Sequence, residues 1–217
     1  MSEAASNPPS QLSELWRPVR RLLREPLGVL GISLVLLVIF AAIFADVLTS
    51  YDPTRISPRD RFSPPSGDHL LGTDQLGRDL FARVLHGGRI ALYVALVSTA
   101  VSLAIGIVLG LIAGYGPRWL DNLMILVFDA LKSFPTVMLA LALVTLIGPS
   151  LTAVMVVVVL VNVPGYARII RTQTIALKSS EFVTAAKSMG ASNARILRVH
   201  VLPNVIGPLV ILASMDI

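Results

Sequence analysis

Apolar runs long enough to cross a bilayer, separated by polar punctuation, set the pattern of this chain. Leu27–Leu48, Ile90–Gly114, Leu123–Ile147 and Leu151–Ile170 consist mostly of Leu, Ile, Val, Ala, Met and Phe. A helix needs about 20 such residues to cross the ~30 Å hydrocarbon layer. The pattern therefore predicts an all-α fold, a polytopic transmembrane helical bundle. A fifth apolar run begins near Asn204 and reaches Ile217; at 1.5 Å per residue it makes roughly 21 Å of helix, short of a full crossing. Either the chain is part of a longer one or this end is tucked into protein.

The polar segment Thr49–Arg89 divides in two. Through Asp74 it is rich in Pro, Asp and Arg, which predicts an external stretch without regular structure. From Leu76 onward, Leu76, Leu80, Phe81, Val84 and Leu85 recur at helical spacing, and Asp79 and Arg83 stand four apart as a pair. This predicts an amphipathic helix lying at the membrane surface. Gly87 and Gly88 would then turn the chain into the next span.

Polar and small residues inside the runs are the next signal. Ser98, Ser102, Gly106, Gly110 and Gly114 recur every fourth residue and leave one groove of small side chains. Helices in lipid associate through close van der Waals approach, so this is a predicted packing groove. Leu123–Ile147 is interrupted by Asp129, Lys132 and Phe134-Pro135. A charge near mid-membrane costs about 2.5–3.5 kcal/mol on insertion scales. Asp129 and Lys132, three residues apart, either pair with each other or border a translocation path together with Asn162 of the following run. Pro135 predicts a kink. Leu151–Ile170 is broken by Asn162, Pro164 and Gly165, and Arg168 and Arg171 mark its end.

One polar island, Glu181–Pro203, separates the fourth run from the fifth. It reads as two short helices. Ser180 caps the first, Glu181 places a negative charge at its positive end, and Gly190 is its left-handed stop. Phe182, Val183, Ala185, Ala186 and Met189 give it an apolar, small-residue side. Ser192 caps a second helix with Ile196, Leu197 and Val199, which Pro203 interrupts. Helices this short need a docking partner, and the apolar side of the first has the shape to enter another protein's groove.

Composition fixes the environment. The chain is 54% hydrophobic and 14% charged, against about a quarter charged in soluble domains, so it is an integral membrane protein. It contains no Cys, which excludes disulfides, thiolate nucleophiles and cysteine metal sites, and no metal site or catalytic group is expected. The net charge of +5 does not point to nucleic acid. Arg17, Arg20, Arg21 and Arg24 precede the first run, Arg118 follows the second, and further basic residues lie between Arg168 and Arg198. By the positive-inside rule these segments, the N-terminus included, face the cytoplasm. Leu27–Leu48 is too long for a signal-peptide core and reads as a retained span. No P-loop pattern occurs, so ATP hydrolysis would have to come from another subunit.

The polar island resembles the EAA loop of ABC-importer permeases, whose pattern is Glu-Ala-Ala, three residues, Gly, nine residues, an apolar residue, any residue and Leu-Pro. Ala185, Ala186, Gly190, Leu202 and Pro203 fall in register. Thr184 stands at the motif glutamate, with Glu181 one helical turn earlier, and His200 stands at the apolar place. His-x-Leu-Pro-Asn and the sequence GTDQLGRD (Gly72, Thr73, Asp74, Gln75, Leu76, Gly77, Arg78, Asp79) are similar to the C-type permease of dipeptide, oligopeptide and nickel importers. The resemblance implies a non-catalytic membrane subunit in the cytoplasmic (inner) membrane. Its implied partners are a second related permease, two ATPase subunits that bind ATP and magnesium, and an external solute-binding protein. The solute would be a di- or oligopeptide; nickel or a small solute such as glutathione is the alternative. The external motif either meets the binding protein or packs within the transporter.

The expected organisation is a basic N-terminal segment over 1–26, the first span over 27–48 and an external loop over 49–89. A permease core over 90–217 follows, containing the coupling loop 181–203. The rival classes are a membrane-embedded enzyme and a channel or secondary transporter. For the first, Asp129, Lys132 and His200 form no constellation, because two lie in apolar runs and the third in the polar island. The second leaves the docking-type loop without a use.

Overall fold

The computed structural model describes residues 22–217, so most of the basic segment expected over 1–26 lies outside the described residues. The chain divides into two units, residues 1–90 and 91–217, and one long helix passes from the first into the second.

In the first unit, the initial apolar run forms α1 (Pro26–Ile43) and, after Phe44, the short α2 (Ala45–Leu48). Proline at the start of α1 suits a position whose N–H would be unbonded anyway. Arg89 closes the other end: its guanidinium donates to the carbonyl oxygens of Ala42 and Ile43, both at 2.9 Å, and to the Asp46 carboxylate. The segment from Thr49 to Asp79 is irregular apart from a 3-10 turn at Pro58–Asp60 and one bridge between Thr73 and Asp79.

The next element, α3 (Leu80–Tyr115), differs from the expected surface helix, turn and separate span. It is one helix of 36 residues that begins at Leu80 rather than Leu76 and runs straight through Gly87 and Gly88. Glycine permits a turn without compelling one. Continuing the helix satisfies every backbone group where lipid offers no partner, at about 1 kcal/mol per interior glycine. Asp79 and Arg83 do not pair. Asp79 Oδ1 instead accepts the Ala82 N–H at 2.8 Å and so caps α3, while Arg83 reaches Asp74 at 3.8 Å.

In the second unit, α4 (Arg118–Ser133) and α5 (Thr136–Ile147) replace the expected kinked span over 123–147. They meet at 89°. Phe134 and Pro135 are both extended (ψ 130° and 127°), because the proline ring drives the residue before it out of the helical region. The 12 residues of α5 make about 18 Å, too short to cross alone. α6 (Leu151–Lys178) continues beyond the predicted end at Ile170, since Ile170, Thr174 and Leu177 keep an inward face past the arginines. Then come α7 (Glu181–Ser188) and α8 (Asn193–Arg195), which leads through a π-helical stretch, Ile196–Val201, into α9 (Leu202–Met215). Pro203 therefore does not interrupt. The wider π turn just before it is a known way for a helix to absorb a proline's missing donor, and 193–215 becomes one apolar helix of 23 residues.

Among the described residues four helices are long and apolar enough to cross a membrane, namely α1, α3, α6 and 193–215, with α4 and α5 as a broken fifth. The core of the second unit is built on Tyr166, Ile170, Ile196, Val201, Val205 and Leu209. Ser98, Ser102, Gly106, Gly110 and Gly114 are all buried. A Cβ on Gly106 would lie 2.6 Å from Tyr166 Cβ, one on Gly110 2.6 Å from the Ala167 carbonyl oxygen, and one on Gly114 2.7 Å from Thr174 Cβ. The glycines are thus where α3 and α6 touch backbone to backbone.

Candidate functional site

The site is assembled on α7. Ser180 stands at its N-cap position, but the hydroxyl turns back to donate to the Leu177 carbonyl at 2.7 Å and leaves the N-terminal amides free, contrary to the expected side-chain cap. The other end closes as the sequence suggests. Gly190 has φ +81°, the Gly190 N–H donates to the Lys187 carbonyl and the Ala191 N–H to the Ala186 carbonyl, both at 3.0 Å. These two bonds are the Schellman pattern, which needs a left-handed residue at that place. The Ser192 hydroxyl then accepts the Arg195 N–H at 3.4 Å to start α8.

The faces of α7 fall differently from the docking side read in the sequence. Val183 and Ala186 are buried, 2% and 3% exposed, in the same core as Ile196, Val201 and Val205. Ala186 therefore cannot enter another protein's groove; it is how α7 is held to its own chain. The outer face carries Glu181, Thr184, Ala185 and Phe182, with Met189 82% exposed at the tip. His200 is half-buried, its ring 6.3 Å from that of Phe182. Leu202 is half-buried and Pro203 exposed.

Polar contacts missed in the sequence tie this end together. Tyr115, closing α3, donates its hydroxyl to Asn193 Oδ1 at 3.1 Å. Lys178 Nζ donates to the Tyr115 carbonyl at 2.9 Å and lies 5.1 Å from its ring centroid, stopping the C-terminal carbonyls of α3. Two arginines of α6 hold α4. Arg171 makes a two-pronged contact with Asp121, and Arg168 reaches Asp129 at 2.7 Å. The available signal was the order of signs: Asp121 and Asp129 meet Arg171 and Arg168 in reverse sequence, as adjacent antiparallel helices require. Asp129 is thus taken by Arg168 rather than by Lys132, which lines a small cavity at the α4–α5 bend. Asn162 is half-buried on α6. Among the described residues no three His, Cys, Asp or Glu side chains are grouped as metal ligands.

The Gly72–Asp79 motif folds on itself in the first unit. Gly72 and Gly77 have φ +74° and +73°, and a Cβ on Gly77 would fall 1.8 Å from the Ser57 carbonyl oxygen. Thr73 is buried; its hydroxyl donates to the Asp60 carbonyl and accepts the Ser63 N–H. Asp74 accepts from the N–H groups of Leu76 and Arg78 and from Arg78 Nε. Burial works against its ionisation, but those amides and the guanidinium outweigh it and bring its pKa down to about 2. Asp79 links the cap of α3 to His69 Nδ1 at 3.2 Å.

Comparison with known proteins matches residues 106–217 to the family described as binding-protein-dependent transport system inner membrane component. Residues 10–65 match the N-terminal TM domain of oligopeptide transport permease C. A dipeptide transport system permease protein of Alkalihalophilus pseudofirmus is 39% identical over 92% of this chain and 66% of its own. A glutathione transport system permease protein of Pectobacterium atrosepticum is 39% identical over 94% of this chain and 67% of its own. A di/tripeptide transport system permease protein of Pseudomonas aeruginosa is 36% identical over 96% and 70%. The chain thus spans about two thirds of the length of these curated relatives.

Proposed function

Because the chain belongs to the binding-protein-dependent transport system inner membrane components, as a permease of the dipeptide/oligopeptide type, we propose that it is a non-catalytic, multi-pass inner-membrane subunit of an ATP-driven peptide importer. Its N-terminus and its α7 loop lie in the cytoplasm. A second related permease completes the path, two ATPase subunits carry ATP and magnesium, and an external binding protein delivers the peptide. A relative named for glutathione, itself a tripeptide, falls within the same solute class.

The observation that carries this reading is the seating of α7. One face is fixed by Val183 and Ala186 in the core shared with α6 and the helix through 193–215, and the other is exposed. A helix so held transmits displacement: ATPase subunits closing on ATP move α7, and α6 and α9 follow as rigid bodies. Coupling requires that contacts with the ATPase differ between its open and closed states.

The test is co-purification and uptake with the full-length subunit. Expected are a stable complex with the ATPases and dipeptide uptake in vesicles that requires ATP and binding protein. A chain that moves dipeptide without any ATPase would overturn the proposal in favour of a secondary transporter.

A further inference from the structure

The coupling loop is fastened to a helix that it does not adjoin in the chain. α6 runs into α7 through Ser179 and Ser180, and the helix through 193–215 leaves after Gly190. α3 ends more than sixty residues earlier, yet its last residue, Tyr115, reaches both flanks of the loop. Lys178, the last residue of α6, donates from Nζ to the Tyr115 carbonyl at 2.9 Å and lies 5.1 Å from the centre of its ring. Asn193, the first residue of α8, accepts the Tyr115 hydroxyl on Oδ1 at 3.1 Å. The ring itself packs on the core that holds Val183 and Ala186 of α7.

Local chemistry accounts for each contact. Gly116 gives its N–H to the Ile112 carbonyl, and Pro117 has no N–H to offer. The Tyr115 carbonyl is thus left for a side-chain donor, and an ammonium suits the negative end of a helix. A phenol covers apolar surface with its ring and still presents a polar group at its tip. Three membrane helices therefore meet on one side chain: α3 itself, α6 through Lys178, and the helix through 193–215 by way of Asn193. The other fastenings leave a gap here. Gly106, Gly110 and Gly114 fix α3 to α6, and Val183 and Ala186 fix α7 to the core. Between Ala186 and Ile196 no residue is buried, so the outgoing flank of the loop depends on its polar contacts.

Resting on the peptide-importer reading, we propose that Tyr115 is a positioning residue for coupling. Its hydroxyl, held by Asn193, makes the end of α3 move with the loop, so that three helices rather than two take up a displacement of α7. Without that bond, a partner pushing on α7 turns the segment between Gly190 and Arg195 and leaves α3 behind. A solvent-exposed neutral hydrogen bond adds little net stability, so the role is separable from folding.

Tyr115→Phe keeps the ring and the backbone carbonyl and removes only the hydroxyl. It is tested in the full-length transporter, reconstituted in vesicles with its partner subunits and binding protein. Expected are an unchanged unfolding temperature and ATPase capture, with a fall of about threefold or more in alanylalanine moved per ATP hydrolysed. Asn193→Leu should do the same, and Tyr115→Phe/Asn193→Leu no more than either alone, because both remove one bond. Asn193→Asp keeps an acceptor and should retain the normal ratio. A second measurement reads the tie without transport. In the purified subunit, Tyr115→Phe should quicken amide exchange at Ile196, whose N–H closes on the Ser192 carbonyl at 3.0 Å, while Ala186 stays protected. A normal transport ratio in Tyr115→Phe, additive losses in the double variant, or unchanged exchange at Ile196 overturns the proposal. So does a parallel fall in unfolding temperature and ATPase capture, which would make Tyr115 a fold constraint. An unsubstituted transporter that moves alanylalanine without hydrolysing ATP rejects the importer reading and the coupling role with it, and the exchange contrast at Ile196 would then stand as a property of the fold alone.

Discussion

Two motifs carry the family resemblance, and the structure uses them in opposite ways. From Gly72 to Asp79 most of the motif turns inward, with Gln75 and Leu76 left exposed: Thr73 and Asp79 are buried, Asp74 collects three hydrogen bonds, and both glycines abut the backbone of Ser57 and Ser63. In the α7 loop the motif positions 184, 185, 190 and 203 are exposed, 200 and 202 are half-buried, and only Ala186 is fully buried. The first motif has spent its groups on its own folding. The second leaves most of its groups to something else. A motif of the first kind should fail as a fold when altered, one of the second kind as an interface.

The sharpest contrast is between Gly77 and Gly190, both with positive φ. Gly77→Val adds atoms where a Cβ already meets the Ser57 carbonyl oxygen at 1.8 Å, on top of about 1–2 kcal/mol for the left-handed conformation itself. In the detergent-solubilised subunit the Thr49–Asp79 segment should unfold and become cleavable by protease, while Gly67→Val, where a Cβ meets nothing within 4 Å, stays resistant. A resistant Gly77→Val would end the claim that this motif is a fold constraint. Next in size is Ala186→Glu, which buries a carboxylate with no partner; the cost is about 3–5 kcal/mol by analogy with broken buried ion pairs. Thermal unfolding of the purified subunit should fall sharply. Gly190→Ala comes third. Its Cβ would meet nothing within 4 Å, so only conformational strain of about 1–2 kcal/mol remains, and the subunit should stay folded with α7 frayed, visible as faster amide exchange at Ala191.

These outcomes also show what the sequence could and could not tell. Apolar run length placed the membrane helices, because hydrocarbon thickness dictates it, and the four-residue spacing of Ser98 to Gly114 described a helix face that the structure buries. Gly190 was legible because a left-handed stop has one favoured residue. Breaks were less legible. Gly87, Gly88 and Pro203 read as interruptions and are helical, whereas Pro135 read as a kink and is a bend of 89°. A local signal says what a residue permits; the backbone's need for hydrogen bonds decides which option is taken. The inward face of α7 was illegible for another reason: a short helix with apolar residues on several sides does not say which side its own chain covers.

A pH series separates the two motifs by a smaller effect. The Asp74 carboxyl is depressed from 3.8 to about 2, so its stabilising contribution is complete above its unfolded value and disappears as pH falls through the folded one. Amide exchange at Leu76 and Arg78 should stay slow from neutral pH down to about 4 after correction for intrinsic exchange, and quicken only as pH approaches 2. Asp74→Asn should remove the transition. Loosening that begins at pH 5 or 6 would show that a group other than Asp74 governs this turn.

The smallest effect on the fold should come with a clear effect on assembly. Phe182 and Met189 are apolar and exposed on the outer side of α7, at 44% and 82%, so replacing either by Ser removes little buried surface. Exposed substitutions of this sort change stability by no more than about 0.5 kcal/mol, and membrane insertion and the unfolding temperature should be unchanged. Large apolar side chains at the centre of an interface, by contrast, commonly account for more than 1 kcal/mol of binding each. Phe182→Ser and Met189→Ser should therefore weaken capture of the ATPase by about fivefold or more, measured as a titration on the detergent-solubilised subunit. Thr184→Glu, which puts a carboxylate at the place where the family pattern has one, tests the same face without removing apolar surface; it should leave capture intact. If both serine variants bind the ATPase as the unsubstituted chain does, the exposed face of α7 is not the contact. The contrast between an inward and an outward motif would then lose its second half, since an exposed position that no partner covers is only surface.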